Sequence, residues 1–170
     1  MMRFRRLLLV LCCTCLLSAG GVAANAASFK ATEEQVAEAV KSTGVTVVHF
    51  WAPWNQNSVA SLGKSGWSTF IDTNAEVKFI FVTAWHNEDG RALLEKNDVG
   101  RQANFQLLLH PNPARQAGER FDRFLGLPVS WLPTTWVFRD GQLRYALNYG
   151  EVRFPLLQQL IRDAADKWDR

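Results

Sequence analysis

Asn55 and Ser58 are the two residues whose types and spacing first raise the question of catalysis. They lie in segment 51–58 (WAPWNQNS), which continues an apolar run at 45–52 (VTVVHFWA). A serine hydroxyl is a weak nucleophile unless a neighbouring base takes its proton, and no G-x-S-x-G turn surrounds Ser58. An asparagine amide is not a nucleophile, but asparagine is among the best residues at the start of a helix. The pair therefore favours a helix cap at Asn55 over a new catalytic centre.

Three histidines, His49, His86 and His110, are the candidate metal ligands. None of them stands at the i, i+4 spacing of a helical metal pair, and no cysteine follows residue 26 to assist them. His49 lies inside an apolar run, where a histidine is normally neutral and hydrogen-bonded. We therefore expect no metal and no other cofactor, and a core histidine at position 49.

The N-terminus has the three parts of a secretory signal peptide. A basic start (MMRFRR) precedes a short apolar run at 7–17, and the small residues that follow end in Ala-Asn-Ala at 24–26. The sequence predicts cleavage after Ala26, which gives a signal peptide at 1–26, a domain at 27–170, and a periplasmic or secreted protein. The apolar run is shorter than the roughly 20 residues that a spanning helix needs. An uncleaved membrane anchor is the alternative.

Removal of the signal would change the chemistry of the chain. All three cysteines lie within residues 12–15, so the predicted mature chain can form no disulfide and can run no thiol exchange of its own. The signal also holds three of the 19 basic residues and none of the 16 acidic ones, which leaves 16 of each sign. A balanced charge gives no reason to expect binding to nucleic acid or to an anionic membrane.

The hydrophobic pattern predicts alternating helices and strands ahead of a terminal hairpin and helix. Such alternation implies parallel strands joined by crossover helices, and the hairpin adds antiparallel strands, so we expect a mixed sheet covered on both faces. A capping box at Thr32 and Gln35 marks the start of the first helix. The first predicted elements are a helix at 33–42, a strand at 45–52, a helix from Asn55 that Gly63 and Gly66 weaken, and a strand at 77–85. A helix at 87–98, a strand at 105–113 and an amphipathic helix at 114–126, with Phe121, Phe124 and Leu125 on one side, are predicted next. The chain ends with a hairpin at 133–147 that turns at Asp140–Gly141 and a helix at 154–168.

Two segments in this order resemble thioredoxin-fold proteins. Segment 47–58 (VVHFWAPWNQNS) resembles the strand, turn and helix that carry F-W-A-x-W-C-x-x-C, and segment 132–150 (LPTTWVFRDGQLRYALNYG) resembles the Pro-Thr hairpin of the same fold. Segment 105–127 resembles the strand and helix inserted in the periplasmic TlpA/ResA-like branch. The resemblance spans Thr32 to Asp163. It implies an α/β thioredoxin-like mixed sheet flanked by helices on both faces, with a central TlpA-like strand-helix insert.

The departures from that family bear on function. Asn55 and Ser58 stand where the family has its two catalytic cysteines, and His49 stands where thioredoxins carry a buried acid. The resemblance also implies a cis peptide bond at Pro133, facing the altered motif. Trp54 and Trp131 lie in the two loops expected to meet, where they are either exposed stacking surface or packed.

These expectations give a redox-inactive binding or adaptor module of the cell envelope, not an enzyme. Its partner would be an extended peptide segment or another exported protein, and a membrane would be involved only if the signal stayed uncleaved. One alternative is a member of the thiol-disulfide oxidoreductase family with residual or altered, isomerase- or chaperone-like activity. Another is a domain without a ligand. The expected binding residues are Trp54, Asn55, Ser58, Trp131, Leu132 and Pro133.

Overall fold

The structure is a computed structural model that describes residues 20–63, 65–84, 89–110, 122–148, 150 and 152–166, with the main chain alone at 20–29 and 89. Its helices are α1 (Gly20–Val40), α2 (Gln56–Ala60), α3 (Trp67–Asp72), α4 (Asp89–Lys96) and α5 (Phe154–Ala165). Its strands are β1 (Val45–Trp51), β2 (Lys78–Thr83), β3 (Phe105–Leu109), β4 (Arg123–Phe124), β5 (Leu127–Pro128), β6 (Thr134–Arg139) and β7 (Gln142–Leu147).

Five strands form one mixed sheet in the order β3-β2-β1-β6-β7. β1, β2 and β3 are parallel, whereas β6 is antiparallel to β1 and β7 is antiparallel to β6. All seven residues of β1 are buried, as its β-branched, apolar sequence predicts for a central strand. The predicted mixed sheet and closing hairpin are therefore confirmed.

Alternate residues of β1 supply the two hydrophobic layers of the domain. Val47 and Trp51 belong to one layer and Val48 and Phe50 to the other, because successive side chains of a strand point to opposite faces. The first layer is closed by α3, α4 and α5, and the second by α1 and the β4–β5 hairpin. The buried helix residues of the first layer are Trp67, Phe70, Ile71, Leu94, Leu157, Ile161 and Ala164, and those of the second are Val36 and Val40, joined by Phe124 of β4.

The start of the first helix differs from the prediction. α1 (Gly20–Val40) runs without a break past Thr32, which is buried in the helix and is not its cap. The alanine-rich residues ahead of Thr32 are good helix formers, so the capping-box pattern did not mark a real boundary. No helix within the described ranges is both long and apolar enough to cross a membrane.

The amphipathic helix predicted at 114–126 is wrong at its C-terminal end. Arg123–Phe124 is the strand β4, and Leu125 and Gly126 have φ values of 50° and 74° in the turn to β5. Positive φ angles are incompatible with a right-handed helix. The Glu33 carboxylate of α1 accepts a hydrogen bond of 3.3 Å from the Leu125 N–H, which ties this turn to the domain. The rest of that helix, with Phe121, lies outside the described residues.

The predicted weakness of the chain after Asn55 is confirmed, because α2 ends at Ala60 and a separate helix, α3, begins at Trp67. Gly66 joins them, and the Trp67 N–H donates to the Ser61 carbonyl at 3.0 Å. A Cβ at Gly66 would overlap the Ser61 carbonyl oxygen and would lie 2.8 Å from that of Gly63. The backbone that follows α2, at Ser61 and Gly63, therefore lies too close to position 66 for any side chain there.

Gly66→Ala should lower the free energy of unfolding by about 2 kcal/mol, because backbone atoms would have to shift. Gly63→Ala is the matched control, since a Cβ there meets nothing within 4 Å. It should leave stability unchanged or raise it by up to about 1 kcal/mol, through lower entropy of the unfolded chain. Urea unfolding followed by tryptophan fluorescence measures both. Equal stability of the two variants would contradict this account of the α2–α3 junction.

Candidate functional site

Asn55 begins α2, as predicted. Its side-chain Oδ1 accepts a hydrogen bond of 2.9 Å from the Ser58 N–H, which satisfies one of the free N–H groups at the helix start. The Ser58 hydroxyl is fully buried and accepts a bond of 3.4 Å from the Ala52 N–H. Within the described chain, no histidine or carboxylate is hydrogen-bonded to that hydroxyl. The pair therefore holds the turn in shape and is not arranged as a nucleophile with its base.

The loop at 131–133 lies at the same end of the sheet as the turn before α2. β1 pairs with β6 so that Phe50 is opposite Thr134, and the residues that follow Phe50 therefore run beside those that precede Thr134. The Leu132–Pro133 peptide bond is cis, as predicted. The Thr134 hydroxyl donates to the Trp131 carbonyl at 2.7 Å and closes this loop. Two segments far apart in the sequence thus meet at one end of the sheet.

Of four tryptophans towards this end of the sheet, two are buried and two are exposed. Trp51 and Trp136 are buried in the two layers, whereas Trp54 is 41% exposed and Trp131 is 61% exposed. Large aromatic side chains contribute most binding energy per residue at interfaces and are costly to leave in water. The exposed pair therefore gives this end of the domain an aromatic surface in contact with solvent.

An open groove of about 430 Å³ lies next to Pro133. Sequence reasoning missed most of it, because its walls come from the end of β7 and the start of α5. The signal in the sequence was Gly150, since a glycine after a strand often marks a turn. In the structure Gly150 has a positive φ of 85°. The walls of the groove include Pro133, Thr135, Leu147, Val152, Arg153 and Leu156.

His49 lies in the core directly below this site, as predicted. Its Nδ1 and the Thr135 Oγ1 are 2.9 Å apart, and its ring packs on Trp67 and Phe81 with centroid distances of 4.6 and 4.8 Å. Its Nε2 makes no hydrogen bond to any described residue. Burial lowers the pKa of His49 from 6.5 to about 3, because a charged imidazole would lose its hydration. The imidazole is therefore neutral at neutral pH.

His110 lies just after β3 and is also buried, and burial lowers its pKa from 6.5 to about 4. His86 lies outside the described residues. Among the residues that the structure does describe, no three histidine, cysteine or acidic side chains come together as a metal site would require.

No protein-family model and no curated protein matches this chain. Solved structures do. A secreted Mycobacterium tuberculosis disulfide oxidoreductase homologous to E. coli DsbE is 18% identical with a TM-score of 0.53, over 71% of this chain and 81% of that one. A thiol:disulfide interchange protein of the thioredoxin family from Chlorobium tepidum TLS is 11% identical with a TM-score of 0.53, over 76% and 85%. A DsbF homologue from Corynebacterium diphtheriae is 14% identical with a TM-score of 0.52, over 71% of each chain.

The chain therefore has a thioredoxin-like fold, and the predicted fold class is confirmed. At these identities the similarity establishes the architecture alone, since one fold can carry many functions. Its structural neighbours include thiol-disulfide proteins related to DsbE.

The buried His49 should make stability fall as the solution becomes acidic. Above pH 6.5 the histidine is neutral in the folded and unfolded chain, so it adds no pH dependence. Between pH 6.5 and about 3 the unfolded chain binds a proton that the folded chain does not. The free energy of unfolding should fall there by about 1.4 kcal/mol per pH unit for this residue alone.

His49→Gln should remove that share of the slope, as measured by urea unfolding at a series of pH values. Thr135→Val is the matched control, because it removes the hydrogen-bond partner and keeps the titrating imidazole. It should lower stability and leave the slope in place. An identical slope in His49→Gln and the parent protein would show that His49 is not held neutral in the core.

Proposed function

We propose that this chain is an exported, redox-inactive binding module that holds an extended segment of another exported protein at the surface formed by the α2 turn and the 131–133 loop. The main support is that Asn55 and Ser58 hold the turn through the 2.9 Å hydrogen bond from the Ser58 N–H to the Asn55 Oδ1, while neither residue provides a thiol. The turn thus keeps its shape but lacks the thiols that a disulfide oxidoreductase of this fold would use.

Two further features support binding at this place. Trp54 and Trp131 are exposed on its two sides. The main chain of Leu132 makes no hydrogen bond to any described residue, while its side chain is buried in the second layer. An extended peptide that paired with this main chain would bind by β-augmentation, in which backbone bonds give affinity and side-chain pockets give selectivity.

The proposal places the protein in the periplasm or outside the cell. The tripartite N-terminus supports export, and a secreted oxidoreductase is among the proteins of the same fold. The alternative, residual or altered oxidoreductase activity, would need thiols from a partner, because no cysteine follows position 15.

The purified exported protein should not reduce or oxidise a disulfide above background. The physical reason is the lack of sulfur at positions 55 and 58. Turnover of insulin, in protein free of contaminating thioredoxin, measures this and would overturn the redox-inactive assignment if found. The double variant Asn55→Cys with Ser58→Cys is the positive control. The thiol introduced at position 55 would face the N–H of residue 58 that now bonds Asn55, so its pKa should lie below the ordinary value of about 8.5.

Trp54→Ala should weaken capture of a partner by about tenfold, because it removes an exposed aromatic ring from the proposed surface. Leu143→Ala is the matched control. Leu143 is also exposed, but it pairs with Phe138 at the opposite, turn end of the hairpin. Both variants should keep the circular dichroism and melting temperature of the parent. Binding to exported proteins, measured by pull-down from envelope extract and then by calorimetry, should fall only for Trp54→Ala. An equal fall in both would place the binding surface elsewhere.

A further inference from the structure

The two outer strands of the main sheet differ in how well they are protected from further pairing. β7 carries Arg144 near its centre, and its register with β6 is irregular between Val137 and Phe138. A charged side chain and a bulge are common devices that keep an edge strand from pairing with another chain. β3, at the other side, has the sequence FQLLL and a regular register with β2. Because it has neither a charge nor a proline, nothing within this strand opposes the addition of another.

The main chain of β3 is open on its outer side. In a parallel ladder, alternate residues direct both their N–H and their C=O to the same neighbouring strand. The Asn104 carbonyl accepts a hydrogen bond of 2.8 Å from β2, and the His110 N–H donates one of 3.0 Å to β2. The even-numbered residues therefore face β2, whereas Phe105, Leu107 and Leu109 face away from it. In the part of the chain that the structure describes, Leu107 and Leu109 have no strand to pair with on that side.

Open space lies beside this outer edge. A groove of about 430 Å³, the β3 groove, has walls that include Leu94, Val99, Phe105 and Leu107 together with Arg91, Glu95 and Arg101. Phe105 and Leu107 are half-buried and pack on the first hydrophobic layer. An added strand would extend that layer sideways, because its alternate side chains would enter the β3 groove against Leu94 and Val99.

The sequence of β3 is complementary to itself in the antiparallel direction. When Leu107 is opposite the partner's Leu107, Phe105 is opposite the partner's Leu109. Aromatic and aliphatic side chains form favourable cross-strand pairs, and no like charges come together within the strand. A two-fold axis through Leu107 therefore completes the open edge of both copies at once, as a closed dimer requires.

We propose that this chain forms a two-fold dimer in which β3 pairs antiparallel with the β3 of a second copy and joins the two sheets into one. Leu107 exchanges both main-chain hydrogen bonds with the partner's Leu107, and the Leu109 N–H donates to the partner's Phe105 carbonyl. β2 and β1 separate β3 from β6, so the contact uses a different part of the sheet from the loop that contains Pro133. The inference does not depend on the proposed binding function.

A single cysteine tests the contact directly. The chain has no cysteine after position 15, so Leu107→Cys gives the predicted exported form one thiol. Opposite residues of a hydrogen-bonded antiparallel pair have Cα atoms about 5.5 Å apart, which a disulfide can span. With diamide as the oxidant, the disulfide-linked dimer should form about tenfold faster than in Leu143→Cys, because pairing raises the effective concentration of the thiols. Leu143 is the matched control, since it is exposed on β7 at the other edge.

The unmodified protein should show a mass that rises towards twice that of the monomer as its concentration increases, as measured by sedimentation equilibrium. Leu107→Lys should be monomeric under the same conditions, because it places two like charges opposite each other on the two-fold axis. Leu143→Lys should form the dimer as the parent does. Circular dichroism checks the fold of each variant, and Leu107→Cys, the smaller change, decides the question if Leu107→Lys does not fold.

Three results would overturn the inference. One is a monomeric mass at every concentration, and another is cross-linking of Leu107→Cys that is no faster than that of Leu143→Cys. The third is a dimer that Leu143→Lys disrupts and Leu107→Lys leaves intact, which would assign the contact to β7. Trp54→Ala should leave the dimer unchanged, so that failure of this inference leaves the binding proposal standing.

Discussion

The antiparallel ladder between β1 and β6 determines which segments meet at the end of the sheet where the candidate site lies. It places Phe50 opposite Thr134 and so brings the turn before α2 beside the loop that contains Pro133. Because side chains alternate along a strand, a slip of one residue would turn Trp51 and His49 to the opposite layer and would separate the two loops. The complete burial of β1 opposes such a slip, since each layer is already filled with apolar groups.

The same ladder makes a polar residue tolerable in the core. His49 is opposite Thr135, and the bond between them satisfies one ring nitrogen while Trp67 and Phe81 pack on the ring faces. With its pKa lowered to about 3, this imidazole is neutral near neutral pH and would be a weak proton acceptor. His49 therefore adds no charge to the interior beneath the α2 turn.

The turn itself shows how a shape can be kept without its chemistry. Asn55 caps α2 through its own side chain, and Ser58 fills its buried position with a small hydroxyl. The proposed complex would depend on main-chain pairing and exposed aromatic area, because positions 55 and 58 carry no thiol that could hold a ligand covalently. Such contacts would release the ligand readily, so the proposed binding would be reversible.

Local patterns in the chain predicted much of this protein. The strands, the helix cap at Asn55, the neutral core histidine and the Asp140–Gly141 hairpin all follow from residue types within a few positions of one another, and the structure contains them. The prediction failed at the start of α1, where alanine-rich residues continue the helix ahead of Thr32, and at the hairpin of β4 and β5, where Phe124 packs in the second layer.

By itself, the sequence determined the strands of the main sheet, the cap of α2 and the lack of sulfur at positions 55 and 58, because hydrophobic periodicity, capping and residue type are local properties. Only the tertiary structure decided the exposure of Trp54 and Trp131 and the existence of the groove. Pro133 and Arg153 line one groove although β6, β7 and a turn separate them along the chain. Their proximity depends on how β7 pairs with β6 and how α5 packs on the sheet, and such long-range packing leaves no periodic trace in the residues themselves.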